Sequence, residues 1–118
     1  VRSSAKGHGK RQQIEGDFSQ GQSLVLIEDL VNQGSSLNEA LEGVKEANLH
    51  VRGCMSIVHY QMPAACEVIN RWGLDFECLT DFDTLCTTAL EENKITSEEL
   101  KMLSLWKDDP KSWSEKFD

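Results

Sequence analysis

The sequence predicts an α/β fold in which helices flank a parallel sheet. The first indication is a continuous apolar run at residues 24–27, because strands of parallel sheets are covered on both faces and are apolar throughout. The second is the alternation of strand-like and helix-like segments, which favours strand, helix, strand units with right-handed crossovers. In such sheets, function lies beyond the carboxyl ends of the strands.

A polar turn follows the first predicted strand. Glu28 and Asp29 come directly after the apolar run, and Gly34, Ser35 and Ser36 precede a helical pattern. Glycine allows a tight turn, and backbone amides at a helix N-terminus favour phosphate. Because carboxylates repel phosphate, the acidic pair would bind something else, such as ribose hydroxyls or a hydrated magnesium ion. A plain polar loop between strand and helix accounts for the same spacing and stays open as an alternative.

The first predicted helix covers residues 37–47. Ser36 is its expected N-cap, because Glu39 lies three residues further on, as in a capping box. Asn48 is expected to end this helix, and the next strand is predicted at residues 49–60.

The following segments continue the alternation. Pro63 is expected in the first turn of a second helix that ends at Gly73. Residues 74–79 alternate as a half-buried strand. From Asp81 onward the pattern is helical, with a break at Asn93.

The C-terminal part predicts a further helix, opened by a capping box of Thr96 and Glu99, and then a short turn at Asp109 and Pro110. A chain of 118 residues suits one domain with a modest core. We therefore expect a single domain, residues 1–118, built from a mobile basic loop (1–13), a sheet with helices (14–92) and a helical tail (93–118).

The charge distribution argues against general nucleic-acid binding. The formal net charge is −8, and nucleic-acid-binding surfaces are basic. Residues 1–11 nevertheless carry four cations and no acid: Arg2, Lys6, Lys10 and Arg11. A basic segment on an acidic body can attract a small polyanion that the body would repel. No apolar run approaches the roughly 20 residues of a membrane span, and no signal peptide is visible.

The four cysteines show no C-x-x-C pair and no metal-like clustering with histidine. We interpret them as buried thiols of a protein in a reducing cytoplasm, with a metal or redox role as the alternative. Cys54 and Cys78 fall in predicted strands and Cys66 in a predicted helix, and the fourth is Cys86.

The segment IEDLVNQGSS resembles the phosphoribosyl-pyrophosphate motif of type I phosphoribosyltransferases, and within them the orotate phosphoribosyltransferase family. Two further segments support this resemblance. AKGHGKRQQIEG is similar to the mobile catalytic loop and following strand of that family, and LWKDDPKSW is similar to a C-terminal pattern of some bacterial members. The resemblance covers nearly the whole chain but only the second half of the family's usual length. It implies a three-layer sheet structure, incomplete on its N-terminal side, and a first residue other than methionine suggests a fragment.

The resemblance implies the transfer of phosphoribosyl from phosphoribosyl pyrophosphate to orotate, which gives orotidine monophosphate and pyrophosphate in pyrimidine biosynthesis. It also implies Mg²⁺ as the cofactor, a homodimer and a cytoplasmic location, with neither nucleic acid nor membrane as a partner. The isolated fragment is expected to turn over poorly, and an exposed sheet edge would favour self-association.

Specific residues take roles by the same resemblance. Lys6, His8 and Asp29 would be catalytic, and Lys6 and His8 would close over the pyrophosphate from the neighbouring subunit. Glu28 and Asp29 would hold the ribose hydroxyls, with Mg²⁺ nearby, bound through the substrate and not directly. The implied phosphoribosyl-pyrophosphate-binding residues are Arg2, Lys6, His8, Glu28, Asp29, Leu30, Val31, Asn32, Gln33, Gly34, Ser35 and Ser36, and the implied base-binding residues are Asn32 and Tyr60.

The chain departs from the family pattern at four positions. Ser3 stands where a second lysine is common, and Asn32 and Gln33 replace hydroxyl residues before the glycine. Tyr60 stands where many orotate enzymes have an arginine, and a tyrosine hydroxyl does not replace a bidentate charged fork. Two alternatives follow: a phosphoribosyltransferase for another base, and a regulatory module that binds phosphoribosyl pyrophosphate without turnover.

Overall fold

The computed structural model describes residue 1 and residues 14–117. Two compact units divide the chain, Val1–Leu79 and Thr80–Asp118. In the described part, no helix is both long and apolar enough to cross a membrane. In chain order the elements are β1 (Ser23–Val31), α1 (Ser35–Glu46), β2 (His50–His59), α2 (Pro63–Trp72), β3 (Phe76–Asp81), α3 (Phe82–Glu91), α4 (Ser97–Asp108) and α5 (Pro110–Phe117).

The sheet of the first unit confirms the predicted α/β class. Its strand order is β1-β2-β3, and β1 and β2 pair in parallel, with Val31 opposite His59 at their carboxyl ends. The backbone N–H of Cys54 donates to the carbonyl of Asp75, which joins β2 to the start of β3 (N to O, 2.8 Å). Both crossovers step across the sheet in the same direction, so right-handed connections place α1 and α2 on the same face.

That face carries the core of the first unit. The inward side chains of the strands pack against the apolar stripes of α1 and α2. Leu41 and Ala65 are almost completely buried, as is Leu37 at the start of α1. The cluster consists of Leu26, Val31, Leu37, Ala40, Leu41, Cys54, Ala65 and Val68.

The opposite face of the sheet is exposed. Because side chains alternate along a strand, Val25 and Ile27 of β1 point away from the core, as do Met55 and Ile57 of β2. Their exposed fractions are 57%, 66%, 41% and 52%. Within the first unit, helices therefore cover one face of the sheet.

Four helix boundaries lie within one residue of the sequence-based predictions. Pro63 lies in the first turn of α2, and Gly73 ends that helix with φ 62°. Asn48 and Asn93 also adopt left-handed conformations, with φ 57° for each. The N–H of Leu49 donates to the carbonyl of Val44 (3.1 Å), which is the bond expected of a Schellman ending.

Several predicted boundaries were wrong. Gly34, and not Ser36, is the N-cap of α1. Gly34 has a left-handed φ of 86°, and the helix begins at the next residue, Ser35, two residues before the predicted start. Strand β3 begins at Phe76 and not at residue 74, because the N–H of Leu74 still donates to the carbonyl of Ile69 in α2 (3.1 Å). Ile14 lies in no strand, but it is buried against α1.

The second unit is helical. The Thr96–Glu99 capping box is present, with both hydrogen bonds at 3.1 Å. The segment after Asp109 is helix α5 and not a short turn, because the Asp109 carboxylate accepts from the N–H of Ser112 (3.1 Å) and caps it. In the same unit, Phe82 packs against Trp106 with ring centroids 5.5 Å apart.

The prediction of buried thiols is confirmed for two of the four cysteines. Cys54 and Cys86 are buried, Cys66 and Cys78 are partly buried, and none of the four is in a disulfide. No group of three or more histidine, cysteine, aspartate or glutamate side chains that could hold a metal ion occurs in the described part of the chain.

Candidate phosphate-binding site

A cavity of about 390 Å³ lies at the carboxyl end of β1. One continuous segment lines it, from Glu28 at the end of the strand, through the turn, to Leu37 in the first turn of α1. Residues 28–36 are the described residues that the resemblance assigns to phosphoribosyl-pyrophosphate binding, with the acids at one end and the serines at the other. The fold thus gathers all nine around one concavity.

Gly34 holds the turn close to α2. Its φ is 86°, a conformation that L side chains rarely adopt. A Cβ at this position would lie 2.8 Å from the Cα and 3.3 Å from the Cβ of Ala65, which is itself fully buried. Glycine is therefore required both by the backbone conformation and by the contact with Ala65.

The N-terminus of α1 presents its amides without a competing acceptor. The first helical hydrogen bond runs from the N–H of Asn38 to the carbonyl of Gly34 (2.9 Å). The preceding amides of Ser35, Ser36 and Leu37 have no acceptor within the helix. Helix α1 also has no side-chain cap and no acid in its first turn. The amides and the helix dipole together favour an anion at this point.

Glu28 faces the helix-covered side of the sheet. It lies opposite Ser56 in the register of β1 and β2 and is partly buried. Burial, and next the charge of Asp29, raise the pKa of Glu28 above its ordinary value. Burial and the charge of Glu28 together raise the pKa of the Cys54 thiol to about 11. The Glu28 carboxylate is thus partly shielded from water.

Asp29 is the exposed member of the pair. Its carboxylate accepts a hydrogen bond from the N–H of Leu30 (2.7 Å). Glu28 and Asp29 are neighbours in a strand and point to opposite faces. The two carboxylates therefore suit two different groups of one ligand better than joint chelation of one ion.

Tyr60 lies beside the turn but does not line the cavity. It follows β2 directly, and its backbone N–H donates to the carbonyl of Val31 (2.9 Å). Gln61 then turns with φ 58° into α2. The structure thus places Tyr60 at the end of the neighbouring strand, next to the segment that contains Asn32, the other residue predicted to bind the base.

The loop positions of the predicted site, Arg2, Lys6 and His8, lie outside the described residues, so their placement stays a prediction. The sequence reasoning missed Ala65, which supports the turn from α2. Its only sequence signal is a small residue two positions after Pro63, and that signal does not identify Gly34 as its neighbour.

Replacing Glu28 with glutamine is expected to raise the free energy of unfolding at pH 7, by less than about 1 kcal/mol because the carboxyl is only partly buried. A raised folded pKa means that wild-type stability falls as pH rises from the unfolded value of 4.5 to the folded one. The gain in stability should therefore be present at pH 7, fade as the pH falls from the folded pKa of Glu28 toward 4.5, and be absent below about 4.5. Urea denaturation at several pH values measures this.

Glu67→Gln in α2 is the matched control, because Glu67 is exposed. The free energy of unfolding of this variant should differ little from that of the wild type. A loss of stability in the Glu28→Gln variant at pH 7 would contradict the desolvation argument.

Comparisons with known proteins point to one family. The orotate phosphoribosyltransferase of Bacillus subtilis (strain 168) is 45% identical over 112 residues, which are 95% of this chain and 52% of the relative. The Leishmania donovani UMP synthase structure matches with a TM-score of 0.68 and 32% identity, over 76% of this chain and 20% of that one. The Aeropyrum pernix orotate phosphoribosyltransferase structure, at 21% identity and a TM-score of 0.60, covers 80% of this chain and 48% of its own, and shows the fold alone. No protein-family model matches.

The parallel sheet with its flanking helices has the fold of the phosphoribosyltransferase structures that it matches. The chain is a homologue of the orotate phosphoribosyltransferases. It spans about half the length of the curated relatives it matches.

Proposed function

We propose that the chain is the phosphoribosyl-pyrophosphate-binding part of an orotate phosphoribosyltransferase of pyrimidine biosynthesis. In this reaction the bond between the anomeric carbon and the pyrophosphate oxygen breaks, and a bond from that carbon to a ring nitrogen of orotate forms. Positive charge develops on the ribose and negative charge on the leaving pyrophosphate. The protein's task is to position the reactants and neutralise these charges.

One observation carries the proposal: residues 28–37 line a single cavity that combines two carboxylates with an uncapped helix N-terminus. A phosphorylated sugar has complementary chemistry, since its phosphate is an anion and its hydroxyls are hydrogen-bond donors. The identity of 45% to the Bacillus subtilis enzyme across 95% of this chain supports the same ligand.

The 5′-phosphate would bind the amides of Ser35, Ser36 and Leu37, with the two serine hydroxyls as further donors. The ribose hydroxyls would donate to Glu28 and Asp29, since an ionised carboxylate only accepts hydrogen bonds. Ionised carboxylates next to the ribose would also stabilise the positive charge that develops on its ring.

Mg²⁺ fits this donor set when it binds through the substrate. Magnesium commonly keeps several waters and takes one or two carboxylates together with substrate phosphates. Glu28 or Asp29 could contact such a hydrated ion, and the described residues offer no cluster of three ligands that would hold it alone. When bound, the ion would neutralise charge on the pyrophosphate.

The basic segment before Ile14 would supply the remaining charge. Arg2, Lys6 and His8 would contact the pyrophosphate, and His8 could donate a proton to it. A loop that closes over the site of a neighbouring subunit requires a homodimer, which we include in the proposal. Four thiols without a disulfide among the described residues fit a reducing cytoplasm.

The identity of the base is the part of the proposal for which there is a specific alternative. Asn32 and Tyr60 would contact orotate, but Tyr60 offers a single hydroxyl where the resemblance leads us to expect an arginine. That substitution favours phosphoribosyl transfer to another base as the second candidate function. Product analysis of the complete protein with orotate and with purine bases would decide between them.

The first test is calorimetric titration of the chain with phosphoribosyl pyrophosphate, with and without Mg²⁺. We expect saturable binding that Mg²⁺ strengthens, and weaker binding of ribose 5-phosphate, which lacks the pyrophosphate. Assay of the same sample with orotate and Mg²⁺ tests turnover, and binding without product would favour the regulatory module. A folded sample that binds neither sugar phosphate would overturn the proposed function.

A further inference from the structure

We propose that Asn38 is a positioning residue for the phosphate-binding turn, which it fixes to α2 without placing a negative charge at the N-terminus of α1. Asn38 is the fourth residue of α1. It does not line the cavity, so it acts through the backbone of the turn and not by touching the ligand. The inference rests on the proposed function and deepens it.

The side-chain amide of Asn38 joins the two helices. Its Oδ1 accepts hydrogen bonds from Nε1 of Trp72 (2.7 Å) and from Nη2 of Arg71 (2.9 Å). Its Nδ2 donates to Oε1 of Glu42, one turn further along α1 (3.3 Å). Because tryptophan and arginine side chains only donate hydrogen bonds, the atom that faces both of them is the oxygen. One orientation of the amide therefore satisfies all three neighbours.

The backbone of Asn38 connects this side chain to the turn. The N–H of Asn38 donates to the carbonyl of Gly34 (2.9 Å), which is the first hydrogen bond of α1. Releasing the Asn38 side chain from α2 would therefore free the carbonyl that ends the turn, together with the amides of residues 35–37. Those amides are the groups that the proposed function assigns to the 5′-phosphate.

Two separate contacts thus hold the N-terminus of α1 against α2. Gly34 packs on Ala65 in the first turn of α2, and Asn38 is bonded to Trp72, the last residue of that helix. Trp72 follows Ala65 by seven residues, or about 10 Å along the helix axis. A single contact would let α1 pivot about it, whereas two contacts at this separation remove that freedom.

The neutral charge of Asn38 has a consequence of its own. An aspartate would accept the same two hydrogen bonds, would form an ion pair with Arg71, and would interact favourably with the helix dipole. For stability alone, aspartate would be at least as good. It would, however, place a negative charge one turn from the phosphate-binding amides, and the first turn of α1 contains no acid. Asparagine therefore suits a helix whose N-terminus has to bind an anion.

The first test removes each side of the bond between the helices. Asn38→Ala and Trp72→Phe should each raise the Kd for phosphoribosyl pyrophosphate by about fivefold, which corresponds to the loss of one hydrogen bond. Because both remove the same bond, the double variant should raise the Kd little further than the larger single change. Isothermal titration calorimetry with Mg²⁺ measures these constants on samples that circular dichroism shows to be folded. Ribose 5-phosphate should show the same fold changes, since it shares the 5′-phosphate.

Leu49→Val is the matched control for lost stability. Leu49 is buried in a cluster with Val44, at the other end of α1 from the turn. The variant should unfold at a lower urea concentration and yet bind both sugar phosphates like wild type. A purely structural role of Asn38 would give the same pattern for Asn38→Ala, so the Kd of the folded variant separates positioning from stability.

The second test adds the charge and keeps the bond. Asn38→Asp should raise the Kd by about threefold to tenfold without lowering the urea midpoint. Its effect should shrink as the salt concentration rises, because salt screens charges, whereas the effect of Asn38→Ala should persist. Asn48→Asp is the charge-matched control, since it adds the same charge just beyond the last turn of α1, and its Kd should stay close to that of wild type.

Three outcomes would overturn the inference while leaving the proposed function intact. They are wild-type affinity in the folded Asn38→Ala and Trp72→Phe variants, additive effects in the double variant, and wild-type affinity in Asn38→Asp. If Asn38→Ala does not fold, Trp72→Phe and Asn38→Asp decide. A folded wild-type chain that binds neither sugar phosphate would instead contradict the proposed function, so the two failures are distinguishable.

Discussion

Replacing Gly34 with alanine is expected to lower the free energy of unfolding by about 2 to 4 kcal/mol. The backbone at this position is left-handed, with φ 86°, which disfavours any residue with a Cβ. The new Cβ would also lie 2.8 Å from the Cα of Ala65, so that backbone has to move. Urea denaturation followed by circular dichroism measures the change.

Gly21→Ala separates the two causes. Gly21 has the same φ of 86°, but a Cβ there would meet nothing within 4 Å. This control should lose about 1 kcal/mol, from backbone strain alone. Equal losses in both variants would mean that the contact between the turn and α2 contributes nothing.

The same pair of variants also tests the site. Moving the turn away from Ala65 would displace the amides that open α1, so Gly34→Ala should weaken binding of phosphoribosyl pyrophosphate even at temperatures where the variant is folded. Gly21→Ala should bind like wild type, because Gly21 does not line the cavity. Unchanged binding by a folded Gly34→Ala variant would separate the site from the close packing.

Replacing Asp29 with asparagine is expected to raise the Kd for phosphoribosyl pyrophosphate by about 10- to 100-fold. Hydrogen bonds to charged groups contribute roughly 1.5 to 3 kcal/mol, and each 1.4 kcal/mol is about a tenfold change in Kd. The substitution keeps the size of the side chain and removes the charge that would hold the ribose hydroxyls. Isothermal titration calorimetry with Mg²⁺ gives the two constants.

Asp75→Asn is the charge-matched control for this experiment. Asp75 is exposed just before β3, away from the residues that line the cavity. It removes the same formal charge from the chain, so it corrects for long-range attraction of an anionic ligand to a less acidic protein. Equal affinities for the Asp29→Asn and Asp75→Asn variants would show that Asp29 does not touch the ligand.

The candidate site was largely predictable from the sequence because its residues are consecutive. Glu28 and Asp29 follow an apolar strand, and Gly34 and two serines precede a helix, so local geometry alone places them at one turn. The contact between Gly34 and Ala65 was not predictable, since it joins residues 31 positions apart through the packing of two helices. The spacing of residues along the sequence does not predict such a contact.

The sequence by itself determined the class of the fold, most element positions, the capping box of α4 and the segment that lines the cavity of the candidate site. These follow from local preferences: hydrophobic periodicity, capping side chains and the conformational freedom of glycine. Tertiary structure alone decided that Gly34 is the N-cap of α1, that Glu28 faces inward while Asp29 stays exposed, and that one face of the sheet is exposed among the described residues. Each depends on which surfaces meet in space. The apolar run at residues 24–27, for example, is compatible with a strand that is covered on one face or on both.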